Sequence, residues 1–573
     1  MKGKEQNTYD AIVVGTGISG GWAAMELCRK GLKTLVLERG PELKHGDYPT
    51  ANLDVWDLPY NDQIPRETIA KHYPKLSRKG YIMRQSAVGH FCKDDEYPYT
   101  EKRKFDWIRG YHTGGRSVMW GRHCYRLSDL DFEANAREGV GVDWPIRYKD
   151  LKPWYDYVSR FVGISGQKEN LPHLPDGPFL PGIPMNCVEE KFRDAVHEKF
   201  PERRVTLGRV AHLTAYDPAV HLGPRGACQY RNRCIRGCPF GGYFSSVSST
   251  IPVAAETGNM TIVHGAAVRE VIYDADKKRA AGVRVRLTAS GDEVEYFSRG
   301  VVFLNASTLN SAAILLASKS SAQPNGLGND NDMVGRNIMD HHHRTGASGS
   351  FEGFEDRIQK GRKPGSLYIP RFVNIGKSNK RDYLRGFGYQ GGGGRGKWHH
   401  AVKELSVAPG PELKKAITQP GGWNLGFTAF GESLPNENNR VTLNYDVLDK
   451  DGLPTLTMDC AFGENERLMR KDMKVYAAEM LEAAGAKYVN TYEDEAHPGF
   501  SIHEMGAARM GHDPKTSVLN KHNQVWNCRN LYVTDGAAMT SAGCVNPSLT
   551  YMALTARAVD HAVKGLNARE LGS

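Results

Sequence analysis

Three cysteines, Cys228, Cys234 and Cys238, crowd into eleven residues and are followed by Pro239. Closely spaced thiolates hold iron–sulfur clusters, and a Cys-Pro ending is familiar among them. Three thiolates suit a three-iron cluster. Arg231, Arg233 and Arg236 are interleaved, where cations would offset a cluster's negative charge. Zinc is the rival occupant. A tetrahedral zinc needs a fourth ligand, and none lies in the segment, which leaves the distant His221 or His264 to supply it. Three buried thiols without metal are the plain alternative. The other seven cysteines are dispersed, so the chain is no disulfide scaffold.

The second chemical signature is Gly15-Thr16-Gly17-Ile18-Ser19-Gly20. Glycines in this pattern let the backbone approach a pyrophosphate, whose charge sits on a helix N-terminus. The context agrees: a short apolar run precedes the motif, a helical pattern follows, and Glu38 ends the next apolar run. That carboxylate would accept hydrogen bonds from ribose hydroxyls. The motif alone leaves NAD and FAD open. A run of three histidines, His341-His342-His343, invites a metal reading. Neighbours on one strand or loop cannot all face one ion, so a pocket-lining or solvent role is preferred.

The elements that must position these groups read as follows. Residues 10–14 form a buried parallel strand, Trp22 to Cys28 a helix, and Lys33 to Glu38 the second strand of a βαβ unit. Residues 41–110 are polar and read as extended loops, and 111–125 form a second Gly-rich stretch. Helices are expected over 144–162, 187–199 and 464–485, and strands over 260–286. Residues 345–460 carry a mixed β pattern broken by a loop at Gly391 to Gly394. Residues 531–563 return to strand, loop and helix. The chain therefore divides at 1–130, 131–224, 225–344, 345–494 and 495–573. The first, third and fifth parts build the dinucleotide domain, and the second and fourth contribute to a substrate domain or cap.

At 573 residues there is length for two to four structural units. The net charge of +10 is a mild bias without a Lys/Arg run, which argues against nucleic-acid binding. No window approaches the ~20 apolar residues that a membrane span requires. The N-terminus shows no apolar stretch of the secretory kind, so export is expected only alongside a partner that carries such a signal.

With these motifs in place the chain resembles the glucose–methanol–choline (GMC) oxidoreductase family over most of its length. The resemblance rests on the first unit with Glu38-Arg39-Gly40 and on Gly114-Gly115-Arg116-Ser117-Val118-Met119-Trp120-Gly121. It rests further on Val334 to His341, on Asp535-Gly536, and on Asn546-Pro547-Ser548-Leu549-Thr550. It implies an α/β fold: a Rossmann-like FAD-binding domain with a mixed-sheet substrate-binding domain. It favours FAD over NAD. The implied cofactor-binding residues are Gly15, Gly17, Ser19, Gly20, Glu38, Arg39, Gly114, Gly115, Ser117, Trp120, Gly121, Val268, Asp535, Gly536 and Pro547. Pyranose oxidases of the family carry a flavin-linked histidine in the second glycine segment. Met119 stands there in this chain, so FAD is expected to be non-covalent.

Oxidising an alcohol requires a base for the hydroxyl proton and an acceptor for the hydride. In the segment His503 to Gly511, His503 matches the catalytic histidine of the bacterial FAD glucose dehydrogenases, and Asn546 matches its partner. The pyranose oxidases place histidine where this chain has Ala508. His512 is a weaker rival. The same dehydrogenases resemble this chain at Cys228, Cys234 and Cys238, which implies a 3Fe–4S cluster that passes electrons to an external acceptor. The expectation is a dehydrogenase for a secondary hydroxyl of a sugar or glycoside, at ring C3 by resemblance to glucoside 3-dehydrogenases. Trp398, Trp423 and Tyr389 are candidates for stacking on a sugar face, although core packing is the commoner role for aromatics. Related enzymes work with a small chaperone-like subunit bearing the export signal and with a cytochrome c-type acceptor. That places the chain in the periplasm, with the cytoplasm as the alternative. A peroxide-forming carbohydrate oxidase, a non-redox lyase and an electron-transfer subunit without substrate chemistry are the competing readings. The His503/Asn546 pair argues against the last.

Overall fold

The computed structural model describes residues 7–80, 82–376, 379–396 and 409–571. The chain opens with strand β1 (Thr8–Val14), helix α1 (Ile18–Arg29) and strand β2 (Thr34–Leu37). After a long covering segment come α2 (Tyr148–Val162) and α3 (Cys187–Lys199). Strands β3 (Met260–Val263), β4 (Ala266–Asp274), β5 (Arg279–Leu287) and β6 (Glu293–Leu304) follow, then α4 (Thr308–Ala317). The chain then builds β7 (Thr345–Phe351), β8 (Leu367–Ile369), β9 (Phe387–Arg395) and β10 (Trp423–Gly431). It continues through α5 (Glu464–Ala483) and β11 (Lys487–Glu493), and ends with β12 (Cys528–Val533) and α6 (Ser548–Asn567).

The first sheet runs β12-β6-β1-β2-β3, with these neighbours parallel, and β5 and β4 extend from β6 as an antiparallel flap. Ala11 to Val14 of β1 and all of β2 are buried. That is the signature of parallel strands covered on both faces. Helices α1, α2 and α6 pack together beside this sheet, and Tyr155 on α2 hydrogen-bonds Thr550 on α6 at 2.8 Å. The second sheet runs β11-β7-β10-β9-β8 with antiparallel neighbours, and the short strand Thr206–Leu207 closes its edge. Helices α3 and α5 cover it over a separate apolar core that holds Phe192, Tyr389, Trp423, Phe427 and Met473. Residues 131–224 thus divide between the two cores: α2 joins the first and α3 the second.

Two expectations change. Residues 41–110 are not loop throughout, since they include the helices Arg66–His72 and Gln85–Val88. The tetraglycine run is not a loop either. Gly391 to Gly394 lie within β9 and pair with Phe427 to Asn424 of β10. The glycines are required by packing. A Cβ on Gly391 would meet Gly426 O at 2.2 Å, and one on Gly393 would meet Val188 of α3 at 2.4 Å. Helix α3 can approach the strand only because the strand has no side chains there.

Gly391→Ala is therefore expected to destabilise the second module by roughly 2–3 kcal/mol, the scale of an overpacked core. A lowered thermal midpoint and unfolding of this module ahead of the rest would report it. An unchanged melting profile would contradict the packing argument.

Candidate active site

One cavity of about 860 Å³ runs from the β1–α1 turn to the edge of the second sheet. At one end, Gly15 sits at φ +92°, a conformation that suits glycine, and lets the chain turn directly into α1. A Cβ on Gly20 would meet Gly15 O at 2.0 Å, so this glycine permits the tight turn without touching the cavity. The N-terminus of α1 has no side-chain cap and no acidic residue in its first turn. Ser19 Oγ and Asn305 Nδ2 are buried without hydrogen-bond partners among the described residues. Free donors and an uncapped helix end form a cradle for a pyrophosphate.

Glu38 is buried and accepts hydrogen bonds from Thr16 and from Gly40 N at 2.9 Å. Burial pushes its carboxyl above the usual range, against the hydrogen bonds that lower it. Thr16 Oγ1 in turn accepts from Gly114 N at 2.9 Å, which ties the second glycine segment to the first. Ser117 donates to Gly114 O at 2.6 Å and accepts from Ser246 N at 3.0 Å, bracing that segment. Arg39 is held by Asp449 and Asp451 and stacks on Tyr97 and Tyr111. Its charge is already balanced, which leaves no free cation there for an extra ribose phosphate. Gly17, Ser19, Arg39, Gly115, Ser117, Trp120, Gly121, Val268, Asp535, Gly536 and Pro547 all line the cavity, as do Gly15 and Glu38. Gly114 and Gly20 do not, and act as supports. Asp535 is fixed by Ser311 Oγ at 2.6 Å and Ala537 N at 2.9 Å, and burial raises its pKa to about 6.

At the other end lies His503, brought in by a turn in which the β-branched Ile502 takes φ +64°. That is a strained conformation, of the kind that collects at functional sites. The turn is fixed by a buried carboxylate. Asp340 accepts from His341 N at 2.9 Å, Ser501 N at 2.9 Å and His503 N at 3.0 Å. Burial and the nearby Glu504 raise the Asp340 pKa to about 7. His503 Nε2 lies 3.3 Å from Asn546 Nδ2, and His503 Nδ1 lies 3.0 Å from His341 Nδ1. Gln390, on β9, hydrogen-bonds Asn546 Oδ1 and orients the amide. Burial, followed by the charges of His341, Arg116 and His123, holds His503 well below the usual imidazole pKa. A neutral imidazole facing a cavity is a competent base. Ligand-type atoms of Asp340, His341 and His503 lie within 4.8 Å of one another. Each already has a hydrogen-bond partner, so the group is a hydrogen-bonded unit rather than a cation site.

The remaining sequence candidates separate. His512 is 63% exposed beside Asp143 and lies off the cavity. The His341–His343 run is buried rather than solvated, and only His343 of the three lines the cavity. Tyr389 and Trp423 belong to the second core, where they bond Met473 O and Phe354 O, and do not reach the cavity. Trp398 lies outside the described residues. Sequence reading missed Asp340 and Gln390 as positioning groups. Asp340 was within a quoted motif, but only the fold shows its three backbone donors.

Cys228, Cys234 and Cys238 line a second, small cavity, and Cys234 also lines the large one. The three cysteines do not form one of the tight ligand groups found among the described residues. Neither His221 nor His264 reaches this cavity, whereas His212 does, its Nε2 3.7 Å from Cys234 Sγ. Arg231, Arg233 and Arg236 do not aim at the thiols. Their guanidinium groups pin the loop to carbonyls and acids of residues 51–62.

Comparison with known proteins is consistent across methods. A family model described as GMC oxidoreductase matches residues 9–343, and its C-terminal counterpart matches 435–555. The chain is 28% identical to 2-methyl-1,2-propanediol dehydrogenase of Mycolicibacterium austroafricanum, over 96% of this chain and 94% of that protein. It is 26% identical to the fructose dehydrogenase large subunit of Gluconobacter japonicus, over 97% and 98%. Formate oxidase of Aspergillus oryzae shares the fold with a TM-score of 0.60 at 14% identity, over 99% of both chains.

Gly20→Ala forces the turn apart. The purified variant is expected to retain at most about a tenth of the wild-type flavin, read from absorbance per protein. Full flavin content would refute the assigned role of this turn.

Proposed function

The chain belongs to the GMC oxidoreductase family, and on that premise we propose that it is a sugar or glycoside dehydrogenase. It is an FAD-dependent oxidoreductase acting on CH–OH donors. The cavity accepts a secondary hydroxyl at the His503/Asn546 end, with ring C3 as the oxidised carbon. The carrying observation is the placement of His503 Nε2 and Asn546 Nδ2, 3.3 Å apart, on the cavity that also holds the glycine cradle. Bound FAD supplies the hydride acceptor. His503 Nε2 takes the hydroxyl proton, and Asn546, aimed by Gln390, donates to the hydroxyl oxygen. Met119 lines the cavity and offers no atom for a flavin linkage, so the flavin is held without a covalent bond.

Cys228, Cys234 and Cys238 would hold a 3Fe–4S cluster, which supplies one-electron transfer when bound. Cys234, shared by both cavities, supports this exit route. Arg122 and Lys363 line the large cavity, and Arg122 donates to Cys234 O at 3.5 Å. A relative named as a large subunit supports a multi-subunit assembly. The partners we assign are a small subunit carrying the export signal and a cytochrome c-type acceptor, with co-export to the periplasm. Among the described residues, no helix is long and apolar enough to cross a membrane.

Anaerobic addition of a panel of sugars and glycosides should bleach the flavin, and His503→Ala should slow bleaching about 10²–10⁴-fold. No bleaching by any sugar would sink the substrate class. Rapid reoxidation by oxygen with peroxide release would favour an oxidase instead.

Cys234→Ser should lower the iron content of pure protein while sugar still bleaches the flavin, and dye- or cytochrome-coupled turnover should fall at least tenfold. Unchanged iron would count against the cluster.

A further inference from the structure

His341 is buried in full, and both its ring nitrogens are engaged. Nε2 lies 2.7 Å from the carbonyl oxygen of Gly543, and Nδ1 lies 3.0 Å from Nδ1 of His503. A backbone carbonyl can only accept, and it cannot flip as an amide side chain can. His341 must therefore carry a proton on Nε2. Burial holds its pKa at about 4, so the ring is neutral and has only that one proton. Its Nδ1 is then an acceptor. The proton between the two rings has one remaining place, Nδ1 of His503.

The consequence reaches the cavity. A neutral His503 with its proton on Nδ1 presents a bare lone pair at Nε2. Asn546 must then turn its Nδ2 toward that nitrogen, and its Oδ1 must accept from Gln390, as the hydrogen bonds show. The Gly543 carbonyl is the fixed anchor, and the amides of Asn546 and Gln390, which can flip together, follow the pattern it sets.

We infer that His341 is a positioning residue that, through its hydrogen bond to the Gly543 carbonyl, fixes the tautomer of His503 that can accept a proton from substrate. The inference rests on His503 being the base. When the substrate O–H bond breaks and an N–H bond forms at Nε2, His503 becomes an imidazolium. His341 Nδ1 remains a neutral acceptor for its Nδ1–H, and no further proton needs to move. The anchor is itself built for the purpose. Gly543 takes φ +64°, and a Cβ there would meet Leu127 at 2.6 Å. Asp340 holds the backbone nitrogens of both histidines, so the rings meet at a set angle: their planes are 90° apart, with centroids 5.0 Å apart. The other charged or titratable groups that act on His503 are Arg116, itself paired with Glu504 at 2.7 Å, His123 and His343. None of the three hydrogen-bonds His503 Nδ1 among the described residues.

The test uses flavin-loaded protein and a sugar that bleaches the wild-type flavin, mixed anaerobically in stopped flow. His341→Leu removes the acceptor and frees both tautomers of His503. The limiting rate of flavin reduction should fall about 10²-fold, the scale of a misplaced imidazole proton. Flavin content and the apparent substrate Kd should stay within about threefold. His341→Asn places an amide oxygen near the lost Nδ1, and should recover the rate to within about tenfold of wild type. A His341→Leu rate within threefold of wild type overturns the inference, as does a His341→Asn variant with full flavin content that is as slow as the leucine variant. Neutron diffraction of the oxidised wild-type enzyme is independent of any variant's folding. Deuterons on His341 Nε2 and His503 Nδ1 are expected, and one on His503 Nε2 overturns the assignment. His503→Ala separates the two levels. If it still reduces flavin at the wild-type rate, the base reading fails; if it is inactive while His341→Leu is unimpaired, only the present inference fails.

Discussion

The carboxylate of Asp340 accepts three backbone N–H groups, from His341, Ser501 and His503, and this one buried group brings two distant parts of the chain into register. A buried carboxylate is costly unless its lone pairs are filled. Here they are filled by the turn that carries the base. Burial still raises the Asp340 pKa to about 7, a sign of how much solvation has been given up. The strained φ at Ile502 persists in the same place, as expected where surrounding bonds over-determine a turn. The orientation of His503, its contact with His341 and its approach to Asn546 all depend on this arrangement.

The two ends of the cavity solve different problems. The glycine cradle leaves Ser19 Oγ and Asn305 Nδ2 without partners among the described residues and the α1 N-terminus without a side-chain cap, an arrangement suited to an anion. The other end presents the proposed acceptor, His503 Nε2, with Asn546 Nδ2 3.3 Å away. The second sheet contributes Gln390 of β9, which hydrogen-bonds Asn546 Oδ1.

The cysteine loop shows a related division of labour. Its own arginines hold the loop to residues 51–62, while Arg122 and Lys363, contributed from elsewhere, face the side where Cys234 meets the large cavity. His212 reaches the same thiol from the segment whose Val210 bridges to His123, just beyond the second glycine segment. The flavin side and the cysteine side are thus joined by backbone pairing rather than by a flexible linker.

The sequence by itself determined what is local. The βαβ unit, the glycine turn with Glu38, the apolar periodicity of α2, α3 and α5, and the spacing of the three cysteines are all set by neighbours within a few turns of chain. His503 and Asn546 were legible because each sits in a short motif of recognisable composition. The tertiary structure alone decided the rest. The tetraglycine run looked like a loop because glycine favours turns; it is a strand because α3 packs against it. His341 looked like one member of a histidine run, yet it faces a ring 162 positions away and a carbonyl 202 positions away. Tyr389 and Trp423 could have been sugar platforms or core by composition alone, and the fold makes them core. The reason is the same each time. Residue type and spacing fix conformation and chemistry at one point of the chain, whereas burial and the direction of a hydrogen bond are properties of what folds against that point.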